Sequence, residues 1–206
     1  MSDHGHSHGA ALADHRGKLA AVLGITLTVL VVEVVGAVLS GSLALLADAA
    51  HMLTDVAGLT LGLIAAVLAR RPATPARTWG YHRAEVLGAA AQAALLLAVG
   101  AFVLIEGVKR LFEPPEVASG LMIVFGIVGL IAHLIGLLIL ASGRSANLNM
   151  RAAFLEVVND ALGSVAVLAA AAVITTTGWY RADAIASILI GVLIIPRTIR
   201  LLRETI

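Results

Sequence analysis

Apolar residues run along this chain in long blocks, without the strict alternation of a half-buried strand or the narrow stripe of a soluble amphipathic helix. A membrane-spanning helix needs about 20 mainly apolar residues. Six blocks meet that pattern: Leu19–Leu39, Leu43–Ala69, Arg83–Val108, Gly120–Ala141, Ala152–Thr177 and Asp183–Leu202. The segments between them are short and polar. Ser40-Gly41-Ser42 and Gly178 to Ala182 read as tight turns, and Arg70 to Tyr81 as a loop rich in Pro and Arg. Pro114-Pro115 stops the helix before it, and Ser142 to Asn149 is a polar connection. The pattern predicts an all-α membrane protein with six transmembrane helices.

Lys and Arg placement sets the predicted orientation. With the N-terminus inside, eleven of the 14 basic residues fall on the cytoplasmic side, and only Lys109, Arg110 and Arg181 fall outside. Both termini are therefore expected in the cytoplasm. The organisation expected is a His-bearing tail over residues 1–16 and one six-helix membrane domain over 17–206.

Composition narrows the class further. Of 206 residues, 60% are hydrophobic and 13% charged, and mean hydropathy is +0.99. A soluble domain carries roughly a quarter charged residues. The net charge of +1 does not suggest a nucleic-acid surface, and the absence of cysteine excludes disulfides, thiolate metal sites and a Cys nucleophile. The N-terminus shows no pattern of a cleavable signal. Heavy use of Ala, Val, Gly and Arg suggests a bacterial source, and hence a multi-pass protein of the inner (plasma) membrane.

Four ionisable residues interrupt the apolar blocks as two i,i+4 pairs: His51 with Asp55, and Glu156 with Asp160. Residues four apart share one helix face. Charge inside a bilayer is costly and is functional by default. A single buried His or Asp is often no more than an interhelical hydrogen bond, but two matched pairs on different helices fit that reading poorly. Asp55 falls roughly 18 Å from the outer end of its helix, and Asp160 roughly 12–17 Å from the inner end of its own, so both lie near the middle of the bilayer core. Antiparallel helices would bring His51 level with Asp160 and Asp55 level with Glu156. One imidazole and three carboxylates suit a divalent cation. Ligands must lose protons to bind metal, which ties metal entry to proton exit, and imidazole titrates nearest neutral pH.

Other polar residues invite weaker readings. Asp48, three before His51, is either an outer stepping site or a polar residue lining a cavity. Asn159 is expected to orient a carboxylate or pair with a neighbouring helix. His4, His6 and His8, with His15, form either a weak metal collector or a solvated tail. Glu33 either pairs between helices, the favoured reading, or faces a water-filled path, and His133 is expected to be a satisfied core histidine.

Three segments carry a family resemblance: ADAAHMLTD at 47–55, WGYHRAEVLGA at 79–89 and NLNMRAAFLEVVNDALGSVAV at 147–167. They resemble the motifs of cation diffusion facilitator transporters, of the zinc/cobalt/cadmium efflux type, at the second, third and fifth helices. The resemblance implies a homodimeric proton-coupled antiporter, not an enzyme, that exports a divalent metal ion from the cytoplasm by alternating access. Zn²⁺ is the transported substrate it implies first, with Cd²⁺, Co²⁺, Mn²⁺ or Fe²⁺ behind it, and protons are the counter-substrate. By motif position the metal ligands are His51, Asp55, Glu156 and Asp160. The zinc-type branch usually has His where this chain has Glu156, and a hard oxygen there makes harder ions more credible. Family members usually continue into a small cytoplasmic metal-binding domain, which is expected to be absent from a chain ending at Ile206. Two rivals remain in other classes: a membrane metal-binding or sensor protein that does not turn over, and a proton channel.

Overall fold

The computed structural model describes the backbone of residues 6–69, 83–145 and 148–205. Side chains are described over 17–58, 86–145 and 148–193, and at scattered positions of 60–68. Six helices appear in chain order: α1 (His6–Ser40), α2 (Leu43–Ala69), α3 (Arg83–Phe112), α4 (Ser119–Ala141), α5 (Leu148–Thr177) and α6 (Arg181–Thr205). The second helix has the bounds its apolar block predicts. The others extend beyond theirs, because a helix continues into polar residues until a turn residue or proline stops it.

The expectation of six transmembrane helices is corrected. Among the described residues, four helices are long and apolar enough to cross a membrane: Gly17–Ser40, Val86–Phe112, Ser119–Ala141 and Leu148–Thr177. α2 carries Asp48, His51 and Asp55 in its first half, which leaves 14 residues, 56–69, beyond them. α6 has Arg181 and Asp183 at its start and Arg197, Arg200 and Arg203 near its end. Apolar runs of about 10–14 residues suit a helix buried in a core better than a spanning one. The placement of both termini in the cytoplasm falls with the six crossings from which it was counted. What stands is a multi-pass, all-α membrane protein.

α2 and α5 each pack against four other helices, α5 against α1, α2, α4 and α6. α2 packs against α1, α3, α5 and α6, while α4 pairs with α5 and α1, and α3 with α6. Large apolar side chains such as Val31, Val38, Leu97, Phe102 and Leu138 point outward from the spanning helices. On a soluble protein so much exposed apolar surface would be a liability, and in lipid it is the solvated face.

One end of the bundle is tied by polar contacts. Gly41 takes φ +72° between α1 and α2, a conformation that favours glycine, and its N–H reaches the Ala37 carbonyl at 2.9 Å. Ser42 caps α2, its hydroxyl oxygen accepting from the Leu45 N–H at 3.1 Å. Asp183, 1% exposed at the start of α6, reaches across to the same terminus. It accepts from the Ser42 hydroxyl at 2.5 Å, the Leu43 N–H at 2.7 Å and the Ala44 N–H at 3.1 Å. A carboxylate at a helix N-terminus meets both the orphan donors and the positive end of the helix dipole. Arg110 of α3 donates to the Gly41 carbonyl at 2.8 Å and stands 3.9 Å from Asp183. The loop before α4 joins through Ala118, whose N–H donates to the Ser40 carbonyl at 2.9 Å. This lock fixes the rotation of α2 and so the direction in which its ionisable face points.

Candidate metal centre

The i,i+4 spacing on α2 places His51 and Asp55 one turn apart, with Nε2 3.6 Å from Oδ2. α5 approaches that face and contributes Asp160. One ligand atom from each of His51, Asp55 and Asp160 lies within 4.8 Å of the other two. Bonds of 2.0–2.1 Å in a tetrahedral zinc site put neighbouring ligand atoms about 3.3 Å apart. The three groups therefore need to close by no more than about 1.5 Å to grip one ion. Asp55 and Asp160 are 5% and 2% exposed, and His51 is half-buried.

A cavity of about 400 Å³ ends on these acids. Its walls are mostly apolar and come from the middle of α1, from α2 around Asp55, and from the first four turns of α5. The polar groups facing it are Thr26, Asp55, Asn149, Glu156 and Asp160, with no Lys or Arg among the lining residues. Three carboxylates on low-dielectric walls focus a field that draws cations. The cavity lies toward the start of α5, away from the Asp183 lock.

The four residues expected as ligands are thus distributed unequally. His51, Asp55 and Asp160 converge. Glu156 is half-buried and lines the same cavity one turn before Asp160, but it stands outside the converging trio. Asp48 is fully buried and lies one turn from the trio, toward the start of α2. Asn159 is exposed and does not line the cavity. His4 lies outside the described residues, and His6 and His8 fall in the first turns of α1, where side chains are not described. Residues 79–82 of the second motif segment, WGYHRAEVLGA, also lie outside them.

Sequence reasoning passed over Thr26 and Asn149. A Thr inside an apolar helix and an Asn in a polar connection are too ordinary to signal a cavity wall. It also gave Asp183 no role, since a cap supplied by another helix has no local pattern. His133 is buried as expected, with Nδ1 3.2 Å from the Ser164 hydroxyl. Its Nε2 has no hydrogen-bond partner among the described residues, so it is only half satisfied.

Comparison with known proteins gives the geometry its context. Residues 19–206 match the cation efflux transmembrane domain. The chain is 46% identical over 206 residues to the metal cation efflux system protein CzcD of Cupriavidus metallidurans, covering 98% of this chain and 64% of that protein. It is 40% identical over 207 residues to the zinc transporter ZitB of Escherichia coli, covering 98% and 66%. It is 37% identical over 204 residues to a cadmium, cobalt and zinc/H⁺–K⁺ antiporter of Bacillus subtilis, covering 98% and 65%. The chain thus spans slightly under two-thirds of the length of these relatives.

Proposed function

We propose, from the premise that this chain belongs to the cation efflux family, that it carries a divalent transition-metal cation across the membrane in exchange for protons. The observation that carries this reading is the convergence of His51, Asp55 and Asp160 beside a cavity walled in part by two of the helices long and apolar enough to cross a membrane. Zn²⁺ is the substrate favoured by one nitrogen donor with carboxylate oxygens, and by the zinc, cobalt and cadmium named for the relatives. In this reading the transport unit is 17–206, preceded by a His-bearing tail.

The chemistry follows from the ligands. Apolar walls deny the cation most of its hydration, and the trio replaces it with two carboxylates and an imidazole. Glu156 supplies the fourth ligand, a third oxygen, once the ion draws α5 inward. Protons compete for the same lone pairs, so metal affinity falls as pH falls. A cavity open toward one end of the bundle, with the other end locked, is the arrangement one half of an alternating-access cycle requires. A homodimer belongs to the same reading, and the mass of the detergent-solubilised protein tests it.

The test is flux in sealed vesicles containing the chain and an internal metal-sensitive dye. A pH gradient is expected to drive Zn²⁺ entry and its collapse to stop it. Metal binding without flux would leave a sensor, and proton current without metal would leave a channel.

Glu156 is the residue expected to tune selectivity. Glu156→His exchanges a hard oxygen for a borderline nitrogen, and is expected to move the Zn²⁺-to-Mn²⁺ flux ratio toward zinc by about tenfold. An unchanged ratio would remove Glu156 from the coordination sphere.

A further inference from the structure

One turn from the metal trio, on the side away from the cavity, the bundle holds a second set of polar side chains with no role in gripping the ion. Glu33 of α1 and Asp48 of α2 are 0% exposed, and His133 of α4 and Ser164 of α5 are each 1% exposed. None of the four oxygens of Glu33 and Asp48 has a hydrogen-bond partner among the described residues, and neither has His133 Nε2.

Glycines make the room for them. A Cβ at Gly129 of α4 would lie 2.6 Å from Glu33 Oε1 and 3.2 Å from the Ser164 hydroxyl, so both atoms border one small space. A Cβ at Gly163 of α5 would lie 2.1 Å from Asp48 Oδ1. Ser164 links the two sides. Its hydroxyl is within hydrogen-bond distance of His133 Nδ1 and also approaches Asp48. The ionisable groups brought to this space are Glu33 from α1, Asp48 from α2 and His133 from α4, with the negative charge of Asp160 acting on Glu33 from α5.

Two carboxylates cannot stay ionised in such a place without a counter-charge. No cationic side chain hydrogen-bonds either one among the described residues. A metal ion does not fit the arrangement, because among the described residues only His51, Asp55 and Asp160 bring three ligand atoms within clamping distance. The remaining cation small enough is the proton, and a protonated carboxyl gains the donor that its ionised form lacks.

We propose that Glu33 and Asp48, with His133 and Ser164 beside them, form a proton-holding station separate from the metal ligands and one helical turn from them. The station rests on the metal-exchange reading and assigns the counter-protons to residues of their own. A divalent ion at the trio repels a proton held one turn away, so metal arrival expels protons from the station, and reprotonation favours metal release. Proton and metal then couple through space as well as by competition for shared lone pairs.

The experiment counts protons. The purified full chain, in detergent and weak buffer with a pH indicator, is titrated with Zn²⁺ across a range of pH. Glu33→Gln, Asp48→Asn and the double variant keep the shape of the protonated side chains. The double variant is expected to melt no earlier than the native chain and to bind Zn²⁺ within about threefold of native affinity at mildly alkaline pH. It is expected to release about half as many protons per metal or fewer, with a flatter pH dependence of affinity. Infrared difference spectra should lose the carbonyl band of a protonated carboxyl that metal removes in the native chain. An unchanged proton yield would overturn the station, and so would loss of Zn²⁺ binding by a folded variant. If the double variant fails to fold, each single variant is expected to show the lowered yield, and a native yield in both overturns the proposal. Failure of the native chain itself to bind Zn²⁺ would instead strike the metal-exchange reading.

Discussion

Asp160→Asn is expected to reduce metal flux into vesicles at least about a hundredfold while leaving the protein folded. Asp160 is the one member of the converging trio that comes from α5. Without its charge, His51 and Asp55 remain as two ligands on one helix, and nothing in the trio ties α2 to α5 through the ion. Removing a group that merely orients a ligand typically costs 10–100-fold, and a ligand that bridges two helices should cost more. Asn fills the same space and relieves a buried negative charge, so thermal stability in detergent is expected to hold or rise. Asp55→Asn should behave alike. Flux within about threefold of native in either variant would take that residue out of the site. A variant that binds Zn²⁺ normally but does not transport it would move the residue's role from grip to conformational change.

Asp183→Ala is expected to be the most destabilising single change at the locked end, costing about 2–4 kcal/mol. The carboxylate accepts from the Ser42 hydroxyl and from the Leu43 and Ala44 N–H groups, and Arg110 stands beside it. Truncation leaves buried donors unsatisfied and the α2 N-terminus uncapped. Asp183→Asn keeps one acceptor oxygen and should lose less. Melting of the detergent-solubilised protein checks both. Because Asp183 meets α2 at its first residues, about two turns before His51 of the trio, the folded fraction of Asp183→Ala at low temperature should still bind Zn²⁺. Lost binding in a fully folded variant would make Asp183 part of the ion's path and not a support for α2.

Much of this architecture was readable locally. Long apolar blocks gave six helices, and the block at 43–69 matched its helix end to end. The i,i+4 spacing of His51 and Asp55 needs only helical geometry to be a shared face. α5 brings Asp160 to that face, whereas the depth estimate from 1.5 Å per residue took both helices as membrane crossings and also set Asp55 level with Glu156, which does not join the trio. The number of spanning helices was not readable in the same way. Apolar blocks in the sequence count α2 and α6 with the others, whereas among the described residues four helices are long and apolar enough to cross.

The sequence by itself determined that this is an apolar helical chain, that its rare charges come in helical register, and that two of its segments carry a metal-type ligand pattern. Periodicity and hydropathy are properties of neighbours along the chain, and neighbours are what a sequence shows. Only the tertiary structure decided that Glu156 stands at the cavity wall outside the trio, that Asp183 caps a helix some 140 residues earlier in the chain, and that Glu33, Asp48 and His133 share one buried space. Each of those depends on how helices are rotated and seated against one another. That is set by side-chain volume at many contacts together, among them glycines at 129 and 163 whose missing Cβ atoms leave the space that the carboxylates occupy.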